Sequence, residues 1–288
     1  MLALTSTPFP FSFCPTHPLS ERIPSVRFVH LSGDFSDYPG NALRNLAIDQ
    51  VDTTHFLMLD ADFTPSDELA EAFAQLPAAL VRDPLAALVV PAFEYKVYEC
   101  NSTHQCFKDH KGSLPHDVRS LKQCTEEGMC GVFYEIFAPE THESTDYERW
   151  WRAALAGDRT PYRVPCFGSL KYEPYVVLRR SGLQSPPPYD TRFTGYGKNK
   201  IQHLQHLRFL GYRFEVLPSA FLVHCPHRES KYKEEWMMDD EEFAGKKQGH
   251  QGRMNMLFDE LVEQLESEHG PATVTPLCKK PPSLPPNG

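Results

Sequence analysis

The chain has 288 residues, 41% of them apolar, with a formal net charge of −9 and a pI near 5.8. That length and apolar content suffice for one large domain or two small ones. The acidic balance leaves no basic face to release counterions, which argues against nucleic acid as a partner. No run of 18 apolar residues occurs, so no membrane span is expected.

Residues 1–25 form a Pro-rich leader with no basic segment ahead of its few apolar residues, and it does not read as a signal peptide. VRFVH (26–30) reads as a short strand. YPGNALRNLAIDQV (38–51) has the period of a helix, with Leu43, Leu46, Ala47 and Val51 on its apolar face. HFLMLD (55–60) is a continuous apolar run suited to a strand buried on both faces. Ser66 is placed to cap a helix carrying Leu69, Phe73, Leu76 and Leu80. AALVVPAFEY (86–95) is a second buried strand ending at Pro91. Strand, helix, strand, helix, strand is an α/β order.

Residues 96–130 are polar and Cys-rich and read as an insertion. Cys100 and Cys106 flank five residues, as do Cys124 and Cys130. A zinc knuckle wants C-x2-C, so disulfides are expected. Asn101-Ser102-Thr103 is an N-glycosylation sequon, which with paired cysteines points to an oxidising lumen. Further on come a short aromatic helix (147–155) and a strand (172–180). Trp150 and Trp151 on that helix suit a sugar face or the core. A helix over 199–211, stopped by Gly211, turns Ile201, Leu204, Leu207 and Phe209 or Leu210 inward. Two short strands over 212–227 are broken at Pro218, and a charged helical stretch over 239–268 carries Met256, Leu257, Leu261, Val262 and Leu265. The end, 271–288, reads as a disordered Pro-rich tail.

FLMLDADFTP (56–65) carries the chemistry. Asp60 and Asp62 stand where an apolar strand ends, the place where open α/β sheets bind ligands. Two carboxylates so close are costly to bury unless a cation lies between them or one does covalent work. Three readings fit. One is a divalent metal held with a substrate's phosphates. Another is a phosphoaspartyl enzyme, since Asp60 to Thr64 matches D-x-D-x-T; its later acidic pair is met only by Asp239-Asp240, with no strand before it. The third is a solvated capping turn.

From about residue 31 to 270 the sequence resembles the LARGE-type glycosyltransferases of glycosyltransferase family 49, which includes a β-1,4-glucuronyltransferase. The resemblance lies in ordered pieces: YPGNALRNLA, FLMLDADFTP, VVPAFEY, TPYRV, YEPYVVLRR, YDTRFTGYGKNK and EVLPSAFLVHCPH. It implies a GT-A fold, an α/β architecture with a Rossmann-like mixed sheet, over 26–270. The N-terminal strand–helix–strand unit of that fold is missing from the match. It also implies transfer of a sugar, glucuronate or xylose, from a UDP-sugar to a glycan or glycoprotein acceptor, in the Golgi or another secretory compartment. Mn2+, or another divalent ion, falls to Asp60, Asp62 and His224, with His227 as the fallback. The bland reading of His224 is a core histidine bonded to backbone. Arg44 and Asn45, with Asp60, fall on the donor side. Glu173, Gly195, Gly197 and Asn199 fall on the acceptor side, with Lys200 opening the next helix. Inversion needs a base, for which Asp190 is the candidate; its other reading is a salt bridge with Arg192. The rival from another class is a non-catalytic glycan-binding relic of the same fold, and a D-x-D-x-T phosphatase stands third.

Overall fold

A computed structural model describes residues 31–33, 37–96, 103–180, 185–227, 231–242 and 249–279. The expected strand over 26–30, the sequon at Asn101, and Cys100 lie outside the described residues, as does the side chain of Cys106.

In chain order the elements are α1 (Gly40–Asp49), β1 (His55–Leu57), β2 (Phe63–Pro65), α2 (Leu69–Ala74), α3 (Ala78–Arg82), β3 (Ala86–Val90), β4 (Ala92–Tyr95), α4 (Thr103–His110), α5 (Val118–Glu126), β5 (Cys130–Val132), α6 (Tyr147–Ala156), β6 (Tyr162–Arg163), β7 (Tyr175–Arg179), α7 (Ile201–Phe209), β8 (Arg213–Val216), β9 (Leu222–His224), α8 (Lys231–Glu242) and α9 (Gly249–His269). They build two mixed sheets, ordered β1-β7-β3-β8-β6 and β2-β9-β4-β5. The α/β class holds.

The apolar run 86–95 explains how the sheets relate. Pro91 has no N–H for a ladder. It splits the run into β3, which lies parallel to β8 in the first sheet, and β4, which lies parallel to β9 in the second. Every residue of β3 is buried, as expected of a strand covered on both faces. The core beneath is aromatic: Trp150, Phe93, Phe221, Phe167 and Phe214 pack edge to face or tilted, with centroids 4.8–6.0 Å apart. Trp150 is 0% exposed and its indole N–H donates to Leu217 O at 3.0 Å. It belongs to the core, and stacking on a sugar is not open to it.

Several expectations need correction. Ser66 does not cap the following helix: α2 has no side-chain cap, and the Ser66 hydroxyl accepts the Phe221 N–H at 3.3 Å. The helix expected to run to Leu80 breaks into α2 and α3, because Pro77 interrupts it. The inner face of α1 is Asn41, Arg44 and Ala47, with Leu43 and Leu46 half-buried. On α9 the buried residues are Met254, Phe258, Leu261 and Leu265, while Met256 is exposed. From residue 103 on, the insertion is folded. Asp117 and Ser120 make a capping box for α5, Leu121 is fully buried, and β5 extends the second sheet by pairing with β4.

The start of the tail is held in place too, because Cys278 is bonded to Cys166. Phe167 N–H donates to Pro276 O and Cys278 N–H donates back to Phe167 O, at 2.9 and 2.8 Å. A disulfide also joins Cys124 to Cys130, as the spacing predicts. Among the described residues no helix is long and apolar enough to cross a membrane.

Candidate active site

The aspartates sit on the crossover from β1 to β2, where the chain leaves one sheet for the other. On β2, Phe63 pairs with His224 of β9, and on β4, Glu94 pairs with the same histidine. This register brings the strand end at 224 beside the aspartate turn, and Cys225 N–H donates to Asp62 O at 2.7 Å. Phe63 and Phe133 pack against the His224 ring with centroids 5.1 and 4.9 Å away.

Three groups converge there. Asp62 Oδ2 lies 2.9 Å from His227 Nε2 and 3.5 Å from His224 Nε2, and the two Nε2 atoms are 3.2 Å apart. Their ligand atoms all lie within 4.8 Å of one another. Asp62 Oδ1 is buried with no hydrogen-bond partner among the described residues. Burial pushes the Asp62 carboxyl up, but the hydrogen bonds and positive ends of His224 and His227 outweigh it and hold it far below the usual range. A carboxylate with one buried oxygen left without a partner and the other set against two imidazole nitrogens fits a divalent ion of borderline softness.

Asp60 makes different contacts. Its Oδ2 accepts from Lys200 Nζ at 2.7 Å and from Tyr175 OH at 2.9 Å, and its Oδ1 faces Arg44 Nη2 at 3.6 Å. Burial raises its carboxyl, yet Lys200 and then Arg44 bring it below the ordinary value. Lys200 also reaches Glu173 Oε1 at 2.8 Å. Burial lowers the Lys200 ammonium, but Asp60 and Glu173 drive it well above its usual range, so it stays charged.

The remaining sequence candidates divide. Arg44 reaches the site through Asp60 and donates Nη1 to Asn41 Oδ1 at 2.8 Å. Asn45 clasps the backbone of Tyr189, donating to its carbonyl and accepting its N–H, both at 2.8 Å. That is a structural clamp between α1 and the segment leading into residue 190. Asp190 is bound by Arg192 through both carboxylate oxygens, at 2.6–3.1 Å, and lines a cavity of about 290 Å³ with His206 of α7 and Leu261 and Leu265 of α9. The structure brings it to Arg192 rather than to the Asp62 cluster. Gly195 and Gly197 adopt φ of +63° and +81°, conformations that favour glycine. Their open faces are filled by this chain's own α9 and α8: a Cβ would meet His250 Nε2 at 2.8 Å and the Trp236 ring at 2.3 Å. Asn199 donates to Gly195 O at 3.0 Å and holds that loop.

Sequence reasoning gave no role to Tyr175 or Glu94 and took Lys200 only as a helix opener. The signal for Lys200 and Tyr175 was present, since both lie in the two most specific pieces, GYGKNK and YEPYVV.

Residues 14–258 match the family model described as "Glycosyl-transferase for dystroglycan", glycosyltransferase family 49. The match begins inside the leader 1–25, which the sequence reading set outside the family. Xylosyl- and glucuronyltransferase LARGE2 of Rattus norvegicus is 37% identical over 222 residues, covering 76% of this chain and 29% of the relative. LARGE2 of Homo sapiens is 34% identical over 241 residues, 82% of this chain and 29% of the relative. LARGE1 of Danio rerio is 32% identical over 243 residues, 84% of this chain and 28% of the relative. The chain thus spans under a third of the length of these relatives. With the family model covering most of its length, the chain belongs to glycosyltransferase family 49.

Proposed function

We propose that this chain is a metal-dependent glycosyltransferase that moves a sugar from a UDP-sugar, xylose or glucuronate, to a glycan acceptor. The observation that supports this most is the convergence of Asp62, His224 and His227 at the sheet crossover, in a chain of this family. Asp62, His224 and His227 are the residues that would hold Mn2+ or a similar ion. Bound there, such an ion supplies positive charge to offset the negative charge that grows on the leaving diphosphate. Phe63 and Phe133 fix the His224 ring, and the β9 register fixes its height, so the donor set is pre-formed. A GT-A arrangement is the fold this reading assumes. The setting we propose is the secretory lumen, supported by the disulfides Cys124–Cys130 and Cys166–Cys278.

The phosphatase reading loses ground because Asp60, its nucleophile, is occupied by Lys200 and Tyr175. The test is UDP release from UDP-xylose and UDP-glucuronate with Mn2+ and simple glycoside acceptors. Transfer that disappears with chelator and with Asp62→Asn, while the melting curve is unchanged, supports the reading. Transfer by Asp62→Asn at the wild-type rate refutes it. A well-folded chain that binds no UDP would instead favour the glycan-binding relic.

A further inference from the structure

We infer that the turn after β5 is an acceptor platform: the exposed ring of Phe137, with Ile136 beside it, carries the apolar face of a sugar ring in the glycan acceptor. This rests on the glycosyltransferase reading above and assigns the surface that meets the acceptor within it.

The turn displays apolar side chains and holds them still. Phe137 is 82% exposed and Ile136 65%, and no other large apolar side chain among the described residues is as exposed as Phe137. One stray apolar residue on a surface needs no explanation, but a rigid pair beside a candidate site does. The turn is closed by Ala138 N–H donating to Tyr134 O at 2.9 Å, which encloses residues 135–137. Glu135 Oε2 accepts the Val132 N–H at 2.9 Å and ties the turn back to β5. At its root Tyr134 takes φ +60°, a conformation that is costly for a bulky side chain and that gathers at ligand sites.

The root leads to the Asp62 cluster. Tyr134 stacks on Phe133 with centroids 4.0 Å apart, and Phe133 packs on His224 at 4.9 Å. Lys233 Nζ of α8 lies 5.3 Å from the Tyr134 ring and 6.0 Å from the Phe137 ring, so one ammonium spans the step from root to tip. The rings thus run from the candidate metal centre out to solvent. The groups beside them say what fits. Tyr134 OH and Tyr196 OH meet at 3.4 Å, and Glu135 is exposed. A sugar ring has an apolar C–H face and a rim of hydroxyls. An aromatic face covers the first, and phenol, carboxylate and ammonium groups answer the second. Two apolar side chains are too few for a protein interface, which wants about 1,000 Å² or more. An aromatic ring already fixed in a turn loses little freedom on binding.

The test uses the full chain with UDP, Mn2+ and two probes, methyl β-xyloside and methyl β-glucuronide. Transfer kinetics are read beside NMR saturation transfer from protein to glycoside, calorimetry of UDP with Mn2+, and melting curves. Phe137→Ala should raise the acceptor KM about threefold to tenfold, the scale of one aromatic contact, and weaken saturation transfer. The donor KM, UDP affinity and Tm should stay at wild-type values, because so exposed a side chain holds little of the fold. Phe137→Trp should restore the acceptor KM, and Phe137→Leu, apolar but without a ring face, should not. An acceptor KM and saturation transfer unchanged in Phe137→Ala overturn the inference. So does a KM raised equally for donor and acceptor, or a rescue by Phe137→Leu as good as by Phe137→Trp. A wild type that binds UDP but touches neither glycoside overturns it too, and leaves the donor reading in place. A wild type that binds no UDP and transfers no sugar brings down the glycosyltransferase reading, and this inference with it.

Discussion

Replacing Cys166 and Cys278 together by Ser should cost far more stability than replacing Cys124 and Cys130. The two bridges close loops of very different length, with sequence separations of 112 and 6. Loop-closure entropy alone gives about 5 kcal/mol for the long loop and about 2 kcal/mol for the short one. The long bridge also sits on packed ground. Phe167, beside Cys166, is fully buried against Tyr172 and Phe214, and its backbone pairs with the tail at Pro276 and Cys278. Losing the bridge frees that edge as well as the unfolded chain. The assay is urea unfolding followed by tryptophan fluorescence, since Trp150 reports the core directly. The long-bridge variant should lose about 5 kcal/mol and on the order of 10 °C in Tm, and the short-bridge variant less than half of that. Equal losses for the two variants, or a loss under about 1 kcal/mol for the long bridge, would refute the reasoning, because the tail would then be an ornament on an independently stable domain.

Acid should destabilise the fold through two buried histidines. Burial lowers His142 to about 3, helped by Lys200, and burial lowers His203 to about 3, helped by His206 and Arg44. The folded state refuses protons that the unfolded chain takes near pH 6.5, so stability is full above that pH and falls as pH drops towards 3, by up to about 1.4 kcal/mol per unit for each group. His203→Phe keeps the ring stack on Tyr189 at 4.0 Å and removes one proton site, so its urea midpoint should fall less steeply with pH; an identical slope would count against His203. Gly197→Ala should loosen α8, because its Cβ lands 2.3 Å from the Trp236 ring and its φ is +81°. Hydrogen exchange across 231–242 should speed up while β3 stays protected, and unchanged protection would show that the ring gives way freely.

β1, β3, β7, β8 and β9 were legible, the first three because burial leaves apolar runs such as AALVV and YVVLR, and so were α1, α6, α7 and α9; the short β2, β5 and β6 and the insertion's α4 and α5 were not. The sheet change at Pro91 was legible only as a break: a missing N–H says where a ladder stops, not which sheet comes next. α1 was misread on its inner face because Asn41 and Arg44 are buried through hydrogen bonds that no hydrophobic period records. The start of the tail, up to residue 279, was misread because composition speaks for disorder, whereas a bond to one cysteine over a hundred residues away holds it. In the site, Asp62 and His224 were both named from the sequence, but the partition of the aspartates was hidden. It depends on Lys200 arriving from the residue before α7, 140 residues later.

The crossover at Asp60–Asp62 is not the only place where the chain passes between the sheets. β3 runs into β4 at Pro91, and β8 runs into β9 through the turn at Pro218. The order of these paths also changes, since β3 lies between β7 and β8 in the first sheet while β9 lies between β2 and β4 in the second. Three short covalent struts therefore brace the sheets, two of them interleaved, beside the longer paths from β2 to β3 and from β5 to β6. No ladder joins one sheet to the other, so a hinge or shear between them is resisted by these short connections and by the packing of the core. On the function proposed above, entry and exit of a ligand at this junction fall to the loops around it rather than to a movement of the sheets.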